Sequence, residues 1–258
     1  MKKLKLKKNV KKTLYGLIKV AIIVIVIVFI CEFIEFKVLS NRTLTPKEVY
    51  EKGYYTLSDF GYVRLVSDTD YNLNGNDDYT DYLIGLKSFA ERNPKYVSNY
   101  YAGGYPPLDE GVCTDTIVEA IDAAGYNLKD MISFDIKNTY KDNVYNIEII
   151  DSNIDYRRVG NQQTFFERYL EELDTDYNNI EEFQPGDILV FDYGEHIAMV
   201  SDKVNEKGIP YLIQNRDETQ EEKEEDRLEI TDMKVTSHYR FTYNDKIKEL
   251  IMNMNKTK

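Results

Sequence analysis

An α+β fold, with helices packed on a small antiparallel sheet and one transmembrane helix ahead of them, is predicted by three observations. The first third of the chain holds a lysine-rich start followed by an apolar stretch. The middle repeats apolar residues at helical spacing, and the last third consists of short β-rich runs separated by turn residues. Helices first and strands after point to α+β rather than to alternating βαβ units.

"MKKLKLKKNVKK" precedes "TLYGLIKVAIIVIVIVFICEFI", and Leu14 to Ile34 would form a helix of about 30 Å, the thickness of a bilayer core. Residues 1–13 then read as a basic cytoplasmic tail and 14–36 as a signal anchor, which leaves the rest of the chain outside the cell membrane it spans once. A cleaved signal peptide is the competing reading. It lacks a small-x-small cleavage site, because "FICEFIEF" is bulky throughout. Cys31 lies in this apolar segment and reads as filler.

Residues 37–45 form a polar linker, 46–245 one folded domain and 246–258 a polar carboxy-terminal tail. Beyond residue 36 there are 25 basic and 43 acidic side chains, a field that repels phosphates and excludes nucleic acid as a partner. A helix begins near Pro46, after a Thr cap. Another runs through "YTDYLIGLKSFAERN" and stops before Pro94. From Thr114, the residues Ile117, Val118, Ile121 and Ala124 share a helical face that ends at Gly125. "NLKDMISFDIKNTY" and "NQQTFFERYLEEL" supply two more helices. "DILVFD", "HIAMVSD", "IPYLIQN" and "HYRFTY" read as strands, and "RDETQEEKEEDR" between the last two as a solvated acidic loop.

Cys113, the one cysteine of the folded part, stands at a helix start, where unpaired N–H groups favour a thiolate. A base is needed beside it, and the chain has two histidines, His196 and His238. Strand alternation puts His196, Ala198 and Val200 on one face and Ile197 and Met199 on the other. On the following strand either Gln214 or Asn215 could orient the imidazole, and Gln214 is favoured; its plain reading is a polar strand end. His238, near the end of the domain, reads as structural or pocket-lining. Arg157 and Arg158 could pair with a substrate carboxylate or simply anchor the helix that follows.

"GVCTD", "IDYRRVGNQQTFF", "PGDILVF", "HIAMVSD", "LIQN" and "SHYRF", in that order, resemble the family catalogued as domain of unknown function 1287, grouped with the NlpC-type papain-like cysteine peptidases. The resemblance covers roughly residues 60 to 243. It implies a papain-like fold with Cys113 as nucleophile, His196 as base and Gln214 as orienting residue, a position where many relatives carry histidine. It further implies a cysteine hydrolase of amide bonds in peptidoglycan peptides that needs no cofactor for catalysis. The alternatives are a catalytically inactive binding module of the cell envelope, and a papain-like acyltransferase or lipid-ester hydrolase.

"DYNLNGNDDYTD" has the spacing of a twelve-residue calcium loop. Asp70, Asn72, Asn74, Asp78 and Asp81 stand at positions 1, 3, 5, 9 and 12, so a structural calcium is the ion the spacing suits. Asp77 at position 8 and the short Asp81 at position 12 depart from the pattern. The same residues would equally make an Asn/Asp/Gly turn that caps a helix without metal.

Overall fold

The computed structural model describes residues 54–257. The expected basic tail, membrane helix, linker and helix start near Pro46 lie outside the described residues. Among the described residues no helix is long and apolar enough to cross a membrane.

The elements in chain order are α1 (Asp78–Arg92), β1 (Lys95–Tyr96), β2 (Glu110–Gly111), α2 (Cys113–Ala123), α3 (Leu128–Thr139), α4 (Val159–Tyr169), β3 (Ile188–Phe191), β4 (His196–Val204), β5 (Pro210–Ile213), β6 (Glu224–Glu225), β7 (Val235–Tyr239) and α5 (Asp245–Lys256). The architecture is therefore α+β. Five strands form an antiparallel sheet in the order β6-β5-β4-β3-β7, and β1 and β2 make a separate parallel pair directly ahead of α2.

Local chemistry explains the helix ends. The Asp77 side chain accepts the N–H groups of Tyr79 and Thr80 and so caps α1. Asn93, in the left-handed conformation, stops α1 just before Pro94. Tyr82, Leu86 and Phe89 form the buried stripe of α1, and Gly85 lies where it crosses α2. A β-carbon at Gly85 would stand 2.8 Å from the Ala123 side chain and 2.9 Å from the Glu119 carbonyl, so only glycine allows this approach.

Strand alternation divides the core in two. Ile188, Val190, Ile197, Met199 and Ile213 face the helices, where they meet Phe89, Ile117, Ile121, Phe165 and Phe166. Leu189, Phe191, Ala198, Val200 and Leu212 face the other way into a smaller cluster closed by Phe183, Leu228 and Val235. The helical layer thus covers one side of the sheet, and α2 delivers its first residue to β4.

Two expectations change. Residues 246–256 are not a polar tail but most of α5, capped by Asn244, with Ile247, Leu250 and Met254 buried. Their spacing of three and four residues puts them on one face, hidden in the sequence by the charged and polar residues between them. The acidic run after Asn215 is a solvated loop only in part, with Glu218, Glu221, Glu222 and Asp226 exposed. Glu224 and Glu225 form β6, Gln220 and Lys223 are buried, and Glu224 receives Lys87, Lys203 (2.7 Å) and Ser201. Burial alone would raise the Glu224 carboxyl, but the hydrogen bonds from Lys203, Lys87 and Ser201 hold it below the usual range.

Ending the chain at Asn244 would remove three buried apolar side chains, each worth about 1.5–3 kcal/mol. A loss of roughly 5 kcal/mol is expected in denaturant melts of the full and shortened chains. An unchanged midpoint would show that α5 does not contribute to the core.

Candidate active site

Cys113 is the first residue of α2, and its position is fixed by the residues around it. The Asp115 carboxylate accepts the Val112 N–H at 2.8 Å, capping the helix one turn ahead. The same carboxylate takes two parallel hydrogen bonds from Arg157, each 2.8 Å, and Arg157 also donates to the Asn99 carbonyl. Both charged groups are buried. Thr114 Oγ1 donates to the Arg157 carbonyl at 3.0 Å, and Gln162 donates to the Thr114 carbonyl at 3.1 Å. Removing one member of such a buried pair typically costs 3–5 kcal/mol, because the other is left charged without a partner.

Arg157 is therefore committed to the helix start and not to a substrate carboxylate. The reason lies in Asp115, 42 residues earlier in the chain, which supplies the carboxylate instead. Arg158 is separate: its side chain is 62% exposed and lies 3.9 Å from Asp155.

The Cys113 side chain is 8% exposed. Burial pushes its thiol up to about 11, although the backbone N–H groups of Ile197, Thr114 and Cys113 itself act in the opposite direction and the Asp115 charge adds to the rise. The helix terminus does offer N–H groups, as its position suggests. Desolvation outweighs them, so the resting group is a neutral thiol and not the thiolate that the helix start suggested.

The hairpin between β3 and β4 presents His196. Asp192, Tyr193 and Gly194 all have positive φ, and Gly194 approaches Gly160 and Gln163 of α4. His196 opens β4 with its ring 5.8 Å from that of Phe191. His196 and Gln214 Oε1 are 2.7 Å apart through the ring Nε2, so Gln214, the favoured of the two amides, is the one on the imidazole. Because the amide oxygen is an acceptor, Nε2 carries the proton and the Nδ1 of a neutral ring is left with its lone pair. Burial holds the imidazole below its ordinary value, against the Gln214 hydrogen bond; the Arg216 charge lowers it further and Asp217 opposes.

The thiol lies against the start of β4, the strand that His196 opens. The N–H group directed at the Cys113 sulfur belongs to Ile197, the residue immediately after His196. Behind Gln214 stands Glu225, a residue whose place in the acidic run concealed it. Its carboxylate accepts from the Gln214 amide at 3.4 Å and from Gln220 at 2.9 Å. Tyr96 of β1 is a second neighbour that the sequence did not single out. Its hydroxyl is raised by burial and then by the nearby Cys113, Glu218 and Asp217.

His238 is not part of this group. It is fully buried, with Nδ1 2.6 Å from the Asp174 carbonyl, Nε2 2.9 Å from Asp187 and its ring stacked on Phe183 at 4.4 Å. Asp187 is shared with Arg240 at 2.7 Å. The cluster ties β7 to the turn before β3, the structural role of the two considered.

The loop from Asp70 to Asp81 is closed by its own hydrogen bonds. Asp70 accepts the N–H groups of Asn74 (3.1 Å) and Gly75 (2.9 Å), and the Asn72 and Asn74 side-chain oxygens accept those of Asn74 and Asn76. Asp81 receives the side-chain amides of Asn72, Asn74 and Asn76 at 2.8, 3.0 and 3.1 Å. Asp78 turns inward to the Tyr71 N–H and the Tyr126 hydroxyl. Among the described residues no group of three or more His, Cys, Asp or Glu side chains is arranged to hold a metal ion. These bonds close the loop as a turn ahead of α1, whose cap is Asp77.

A thiol raised to about 11 leaves on the order of one molecule in 10⁴ ionised at pH 7. Alkylation of Cys113, followed on its own peptide by mass spectrometry, should therefore accelerate about tenfold per pH unit from 7 to 10. A rate that levels off below pH 8 would mean a preformed thiolate and contradict the neutral site.

Comparison with known proteins follows the same residues. A family profile described as "Domain of unknown function (DUF1287)" matches residues 86–241, more than half of the chain, and includes Cys113, His196 and Gln214. The protein named "Uncharacterized protein YijF" of Escherichia coli (strain K12) is 31% identical over 163 residues, which cover 61% of this chain and 76% of that protein. No solved structure matches. The chain belongs to the DUF1287 family.

Proposed function

We propose that the chain is a membrane-anchored, extracytoplasmic cysteine hydrolase of papain-like, NlpC-type architecture, cleaving amide bonds in peptidoglycan peptides. The observation that carries this reading is the 2.7 Å contact between His196 Nε2 and Gln214, on the strand whose next N–H reaches the Cys113 thiol. It leaves the basic Nδ1 as the nitrogen that can serve the sulfur.

The resting pair is neutral, so proton transfer accompanies attack. The Cys113 sulfur bonds to the amide carbonyl carbon as its proton passes to His196 Nδ1. The C–N bond then breaks, the leaving nitrogen takes that proton, and a thioester remains on Cys113. Water attacks the thioester with His196 again as base, releasing the acid and restoring the thiol. The Cys113 backbone N–H at the helix start supports the oxyanion. Gln214 keeps the ring in the required tautomer, and Glu225 orients Gln214. No cofactor takes part. The anchor follows from the apolar stretch of residues 14–36, and the acidic exterior suits a substrate that is not a polyanion.

The buried thiol also supports a second reading, a binding module of the cell envelope without turnover. Hydrolysis of purified muropeptides by the full chain separates the two. Cys113→Ala and His196→Ala are each expected to lower the rate by about 10⁴-fold or more, and Gln214→His to retain activity. Unchanged activity in Cys113→Ala would remove the thiol from the mechanism; muropeptide binding without turnover in the parent chain would favour the binding module.

A further inference from the structure

The residue after Gln214 makes a second connection that the hydrolase reading leaves unused. Asn215 is fully buried, and its side-chain amide donates to the Gly111 carbonyl at 3.0 Å and to the Pro94 carbonyl at 3.4 Å. Gly111 ends β2, two residues before Cys113, and Pro94 immediately precedes β1. The dipeptide Gln214-Asn215 thus reaches both halves of the site, with one amide on the imidazole and the next on the strand that leads into the nucleophile helix.

The Asn215 side-chain oxygen is buried without a hydrogen-bond partner. The amide cannot be reversed to relieve this, because its oxygen would then face two carbonyl oxygens. A buried acceptor without a partner is destabilising, and an apolar side chain would avoid it. What the asparagine supplies in return is the pair of N–H bonds across the gap between β5 and the β1–β2 pair.

We infer that Asn215 is a positioning residue that sets the separation of the Cys113 thiol from His196 by holding Gly111 and Pro94 against the end of β5. The inference rests on the Cys113–His196 reading. Gln214 fixes how the imidazole is turned, and Asn215 fixes where the helix start stands relative to it. Without Asn215, the β1–β2 pair loses its two bonds to the end of β5, and the thiol leaves its place beside the Ile197 N–H.

The test uses the full chain and two readouts that do not need hydrolysis. They are the pH profile of Cys113 alkylation, read on its own peptide, and the ring resonances of the two histidines, His196 and His238. Asn215→Ala is expected to alkylate at least tenfold faster at neutral pH and to shift the His196 signals, with those of His238 unchanged. Asn244→Ala, which removes an amide-to-carbonyl bond from the start of α5, should lower the melting temperature and leave both readouts as in the parent. Should Asn215→Ala fail to fold, Asn215→Ser, with a smaller donor, is measured in its place. A folded Asn215 variant with a lower melting temperature, the parent alkylation profile and unshifted His196 signals would overturn the inference. Inactivity of the parent on muropeptides would count against the hydrolase and leave these readouts intact.

Discussion

The buried Asp115 carboxylate is the constraint on which the site depends. It caps the helix that begins at Cys113 and pairs with Arg157, which in turn reaches the loop at Asn99. One side chain therefore joins the start of α2, the turn ahead of α4 and the segment between β1 and β2. An isolated buried carboxylate would be costly, and so would an isolated guanidinium; together, with every oxygen of the carboxylate in a hydrogen bond, they are tolerated. Position is what the pair provides, since a hydrophobic replacement of equal volume could match its stability but could not aim the helix terminus.

Position alone does not ionise the thiol. Three backbone N–H groups surround the sulfur, yet packing against the helical core desolvates it more strongly than they stabilise the anion. The imidazole shifts in the complementary direction, also through burial. The same low-polarity surroundings thus keep both groups uncharged, so the proposed hydrolase would transfer the proton during attack and not hold a standing ion pair. The Gln214 amide suits that state. It accepts one ring proton and fixes the tautomer without drawing the imidazole toward its charged form as a carboxylate in direct contact would. Glu225 lies one hydrogen bond further away and orients the amide.

Much of this was legible in the sequence. The alternation of β4 put His196 with Ala198 and Val200, and of the two amides at the end of β5, Gln214, the one favoured, is the one on the imidazole. Helical spacing found α2, and the cysteine fell at its first residue. What escaped depended on partners remote in the chain. Arg157 could be read as a partner for a substrate carboxylate or as a helix anchor until Asp115 came beside it, and Glu224 was one acid among many until Lys87 and Lys203 reached it. The apolar stripe of α5 was too sparse to stand out among lysines, asparagines and acids. In the Asp70–Asp81 loop the spacing did not record that the amides of Asn72, Asn74 and Asn76 point at Asp81.

The most direct examination is a crystal structure of the chain after reaction of Cys113 with a peptide-like electrophile. The adduct is expected to place the modified sulfur within hydrogen-bond reach of His196 Nδ1, with Nε2 still on Gln214. An imidazole turned away from the adduct, or a reagent that modifies the protein while leaving Cys113 untouched, would contradict a shared catalytic site.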